Sequence, residues 1–162
     1  MLSYSLAVHL TPSDWLVIVT AGLAGTFLMT LFMYLLGFLT PYVLKVVKVL
    51  GTMLTFQTTP DGGLSDRPLA IGVGTVAHYA VGVLFVLAYR VLWAWGVGDS
   101  GYGTAFWFGL ASGVLAIGVW YGLFRLHPRP PQLALRPYLL TIFLGHFVFV
   151  YGAFWIHNVM NA

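Results

Sequence analysis

Apolar residues fill this chain in long unbroken runs, with the polar residues gathered in the short stretches between them. A helix needs about 20 predominantly apolar residues to cross a bilayer. Segments 15–39, 68–93, 103–124 and 137–158 reach that length, and the pattern predicts a spanning helix over each. Ser13 or Asp14 is placed to cap the first, and prolines open the second and fourth at Pro68 and Pro137. Between the first two runs lies a shorter piece. Thr40-Pro41 reads as a cap followed by proline, Lys45 and Lys48 share one face of residues 41–50, and Gly51 can end the element. That pattern predicts a short interfacial helix lying on a leaflet, with continuation of the first span past a proline kink as the alternative. Thr58 to Gly63 is a turn-rich loop.

Composition sharpens the class. Of 162 residues, 60% are hydrophobic and 7% charged, against roughly 25% charged in a soluble domain. The predicted architecture is therefore an all-α integral membrane protein, one membrane domain over 1–162, in contact with the lipid bilayer. The net charge of +3 forms no basic stripe, which excludes a nucleic-acid partner. There is no cysteine and no glutamate, so disulfides, thiolate metal sites, c-type haem attachment and glutamate chemistry are all excluded. Residues 1–13 lack a basic n-region, so no cleavable leader is expected. Lys45, Lys48 and Arg67 lie in the first long loop and Arg125, Arg129 and Arg136 in the last, with only Arg90 on the other side. The positive-inside rule then places both loops in the cytoplasm and both termini outside, as in a bacterial inner membrane, with Trp15, Trp93, Trp95 and Trp155 as an outer aromatic belt.

The two halves resemble each other. Gly22-Leu23-Ala24-Gly25 in the first span matches Gly109-Leu110-Ala111-Ser112 in the third. The second and fourth share an Arg-Pro entry (Arg67-Pro68, Arg136-Pro137), then a His-aromatic pair (His78-Tyr79, His146-Phe147), then a glycine (Gly82, Gly152). First and third spans point the same way, so the bundle reads as two parallel pseudo-repeated hairpins about an axis along the membrane normal.

The duplicated histidines are the candidate chemistry, because an ionisable residue within a bilayer is a functional-site hypothesis by default. His78 follows Pro68 by ten residues and His146 follows Pro137 by nine. At 1.5 Å per residue their depths differ by only about one or two ångströms. Gly74, His78 and Gly82 share one helix face, and Gly145 adjoins His146, so a groove beside each imidazole is expected. A flat tetrapyrrole suits such a groove, with His78 and His146 as axial ligands of a b-type haem and Arg67, Arg136, Arg125 or Arg90 as partners for its propionates. One chlorophyll-type pigment per histidine is a variant. Equally open is a structural role, in which the histidines hydrogen-bond across helices to Thr26, Thr30, Thr75, Thr141 or a carbonyl. The protein would then be an accessory subunit packed against a larger membrane complex or against itself. A small transporter or channel component is the weaker alternative, since no membrane-buried acid supplies proton or sodium coupling. Of the other histidines, His9 lies in the tail, His127 in a solvated proline-rich loop, and His157 at the interface. Met29 and Met33 read as packing residues. No nucleotide loop or hydrolase motif is present, so the chain is read as leaning away from enzyme activity.

Overall fold

A computed structural model describes residues 10–162, which form five helices and no strands. His9 and the rest of the amino-terminal tail lie outside the described residues. The four long helices are α1 (Pro12–Leu39), α3 (Pro68–Ala94), α4 (Tyr102–Leu126) and α5 (Leu135–Met160), each long and apolar enough to cross a membrane. They fall within a few residues of the expected spans.

Local chemistry sets their ends. Thr11, rather than Ser13 or Asp14, caps α1. Its side chain accepts from the Asp14 backbone, the Asp14 carboxylate accepts from the Thr11 backbone, and Pro12 takes the first helical position. Thr40 does not open the next helix but closes α1, its Oγ1 donating to the Leu36 carbonyl at 2.7 Å. The outer surfaces are apolar, with Leu16, Phe27, Phe38, Val76 and Leu84 exposed, while Thr26, Ser112, His78 and His146 face inward. This inside-out distribution suits lipid, where burying a polar group among helices is what lowers free energy.

Around the bundle α1 packs on α3 and on α5, and α4 packs on α5. Small residues set the spacing: a Cβ on Gly25 of α1 would lie 2.7 Å from the Phe149 carbonyl oxygen of α5. A two-fold relation between the halves would pair α1 with α3 as α4 pairs with α5, and those contacts exist. It would also require α3 to meet α4 as closely as α1 meets α5, and that contact is missing from the closely packed pairs. The rings that bridge α3 and α4 lie toward the end far from α2, where Tyr89 and Trp93 approach Phe108 with centroids 5.0 and 6.5 Å away. Toward the other end the two helices leave a gap.

The second helix departs from expectation. It is α2 (Val46–Leu54), starting five residues and ending four residues later than predicted, and Gly51 lies inside it rather than ending it. Val46, Val47, Val49, Gly51, Thr52 and Met53 are buried, and the helix is packed on the start of α3. The reason is a backbone-to-backbone approach. A side chain on Gly51 would overlap the Ala70 carbonyl, and one on Gly74 would overlap the Val47 carbonyl. The connecting loops reinforce this end. His127, expected to be solvated, stacks on Phe56 at 4.9 Å and donates from Nε2 to the Met53 carbonyl, while its Nδ1 accepts from the Arg129 backbone. Gln132 donates to the Gly62 carbonyl across the same loops.

Candidate functional site

The gap between α3 and α4 leads into a cavity of about 300 Å³. Thr26 and Met29 of α1 and Phe149 of α5 form its back wall, Trp120 of α4 one flank, and Val46 and Leu50 of α2 close one end. Both expected histidines reach it, His78 from α3 and His146 from α5, each almost fully buried. Two helices that meet through aromatic side chains rather than by close backbone approach thus present their imidazoles to one space. The remaining wall is apolar, and no Lys, Arg, Asp or Glu lines it.

Hydrogen bonding fixes how each ring can act. His146 Nδ1 lies 2.8 Å from the Ile142 carbonyl one turn earlier, so Nδ1 carries the proton and donates. Nε2 is then the unprotonated nitrogen, and it makes no hydrogen bond among the described residues. His78 is held differently. Its Nε2 lies 3.1 Å from Thr30 Oγ1, and that hydroxyl donates its single proton to the Thr26 carbonyl at 2.7 Å. With the Thr30 proton on that carbonyl, His78 Nε2 is the donor, which ties α3 to α1 and leaves Nδ1 as the bare nitrogen. The result is two neutral imidazoles, each anchored by an N–H and each offering one lone pair. Such groups can coordinate a metal centre or accept from a hydroxyl; they cannot donate to a carbonyl without breaking an anchor. The edge of Phe85 faces the His146 ring, centroids 5.7 Å apart, and limits its rotation.

The other residues singled out from the sequence are dispersed. Gly82 lines the cavity, beside Thr26. Gly74 does not flank an open groove, because the α2 backbone occupies the space its missing side chain leaves. Gly145 receives the Met29 side chain, which extends from the cavity wall. Arg67 and Arg136 are exposed at the ends of α3 and α5 and do not line the cavity. Arg90 is paired with Asp14 and lies over Trp93 at 6.0 Å. His157, in the last turn of α5, is buried, packed edge-on against Trp93 at 5.0 Å. Trp93 itself turns inward against Phe154, whereas Trp15, Trp95 and Trp155 stay exposed.

Sequence reasoning had Thr26 and Thr30 as available partners but missed Trp120, Phe85 and Leu50 as walls. An aromatic or leucine in an all-apolar helix carries no local signal of which side it faces. Among the described residues no group of three or more His, Cys, Asp or Glu side chains could hold a free metal ion. A tetrapyrrole asks less of the protein, since it brings four equatorial donors and needs one or two axial ones. No family model matches the chain, and neither the curated proteins nor the solved structures compared with it contain a match.

Proposed function

We propose that this chain is a membrane-embedded tetrapyrrole-binding protein, holding a b-type haem in the α3–α4 cavity with His146 as axial ligand. The observation that carries the reading is the His146 Nδ1 bond to the Ile142 carbonyl. Metal-ligating histidines donate their second N–H to a carbonyl or carboxylate, which fixes the tautomer and orients the free nitrogen. His78 completes the polar part of the wall. Its Nε2 is engaged with Thr30 and only Nδ1 is left to bind a metal, so His146, through Nε2, is taken as the one axial histidine. A haem seated here would need cations beyond the cavity wall for its propionates. Lys45, next to Val46, and Arg125, two residues after Leu123, are candidates for this role beside Arg67 and Arg136. Bound haem would supply one-electron chemistry, consistent with a role in membrane electron transfer. A chlorophyll-type pigment would use the same single imidazole.

The test is an absorption spectrum of the chain purified from cells supplied with haem precursor, and of the His146→Ala and His78→Ala variants. A Soret band lost in His146→Ala and retained in His78→Ala supports the reading. A band surviving His146→Ala, or a colourless protein after haem addition, refutes it. A second reading has its own observation, the His78–Thr30 bond between α3 and α1. Under it the histidines are structural anchors of a non-catalytic subunit, the protein is colourless, and both substitutions lower stability alone.

A further inference from the structure

We infer that the cavity is loaded sideways from the bilayer, through the slot between α3 and α4, and that the slot exists for this purpose. The proposal rests on the reading above in taking the occupant to be a lipid-soluble tetrapyrrole. The two ends of the cavity are closed to water. Val46 and Leu50 of α2 stand across one, held down by the close fit of Gly51 and Gly74. Phe85 stands at the other, against Phe149 of the back wall, with Tyr89 and Phe108 in ring contact beyond it. The remaining side is the slot. Its rim residues line the cavity and also face outward: Val81 is 46% exposed, Leu115 56% and Val119 53%. All three are apolar and sit near mid-span, so the surface onto which the slot opens is bathed by lipid tails. A ligand from water would have to cross half the bilayer to reach it; a ligand already dissolved in lipid meets an apolar mouth with two lone pairs behind it.

The packing supports a designed opening. Three of the four sides of the bundle are closed by helix–helix contact, and on one of them Gly25 brings α1 against the α5 backbone. On the fourth side α3 and α4 make no such close approach, and Leu115 and Val119 of α4 line the cavity while remaining exposed. The ligand class follows: a flat, largely apolar ring system that partitions into membranes and presents a metal centre to the bare imidazole nitrogens.

The absence of native cysteine makes the test direct. Val81→Cys and Leu115→Cys are introduced together in the full chain, which is reconstituted in nanodiscs and mixed with vesicles containing haem. A reducible bifunctional thiol reagent then bridges the slot. Bridging is expected to slow the rise of the Soret band about tenfold or more, as gating of access does, and dithiothreitol is expected to restore the rate. Unchanged loading after verified bridging overturns the proposal. A second arm needs no haem. Bimane attached at Ala116→Cys, on the cavity wall, is expected to be quenched by mid-chain doxyl lipid and not by aqueous iodide. The reverse pattern also overturns lateral access. A protein that takes up no haem yet shows lipid-side quenching keeps the slot and rejects the tetrapyrrole.

Discussion

Adding one methyl group to Gly74 should loosen the α2 end of the cavity, while the same change at Gly72, two residues away on the same helix, should not. A Cβ at Gly74 would overlap the Val47 carbonyl and lie 2.7 Å from the Gly51 nitrogen and 2.9 Å from its Cα. These are backbone atoms, so no rotamer change relieves the overlap and α2 must move away from α3. Overpacking of this kind costs about 1–3 kcal/mol, and contact with backbone puts Gly74→Ala toward the upper part of that range. Replacing helical glycine by alanine returns about 1 kcal/mol, leaving a net loss of about 2 kcal/mol. For a chain of this length that corresponds to a fall of about 4–8 °C in melting temperature. Gly72→Ala meets nothing within 4 Å and should be neutral or slightly stabilising. Gly51→Ala presses on the Ala70 carbonyl from the other side of the same contact. One displacement of α2 relieves both overlaps, so the double variant should lose less than the two singles summed, by about 1 kcal/mol. Circular dichroism melts of the parent and the four variants in one detergent measure all of this. Equal melting temperatures for Gly72→Ala and Gly74→Ala, or strict additivity of Gly51→Ala with Gly74→Ala, would show that the close α2–α3 approach is wrong.

Thr30→Val removes the inter-helix bond to His78 and should cost about 0.6–2 kcal/mol, whereas Thr75→Val, whose hydroxyl bonds only the Ile71 carbonyl of its own exposed turn, should cost little; paired melts compare them. Thr11→Ala breaks the capping box of α1 and should lower stability by about 1 kcal/mol, with amide exchange rising in the first turn of α1 and not in α5. The hydrogen bond and charge of Lys48 hold the Asp66 carboxyl below its usual range. A depressed carboxylate stabilises the fold above its unfolded value and loses that contribution as pH falls through the folded one, so this pair should leave stability flat from neutral pH down to about pH 4. Below that, Lys48→Met should remove part of the acid sensitivity, and a profile identical to that of the parent protein would contradict the pairing.

Much of the membrane plan is legible along the chain. The four spans follow from transfer free energy, which depends on the length and polarity of a run and hardly on its neighbours. The shared depth of His78 and His146 follows from helical rise counted from Pro68 and Pro137, and the two do reach one cavity. Thr30 was nameable as a partner because so few hydroxyls are available inside the spans.

Lateral placement was not legible. In lipid every face of a spanning helix is apolar, so periodicity does not mark the buried side, and shape decides the packing instead. Gly72 and Gly74 are equivalent as letters, yet one faces open space and the other a carbonyl. Lys45 and Lys48 mark a charged face of residues 41–50, while the fit of Gly51 to Ala70 and Gly74, which no pattern along the chain displays, sets α2 against α3 as the end wall of the cavity. Arg67 and Arg136 precede the histidines along the chain, and the fold leaves both exposed at the helix ends, outside the cavity wall. The sequence by itself determined which segments are long and apolar enough to cross a bilayer and how far along its helix each imidazole sits. Only the tertiary structure decided that α3 and α4 stand apart, because that separation is a mismatch of surfaces and is written in no single helix.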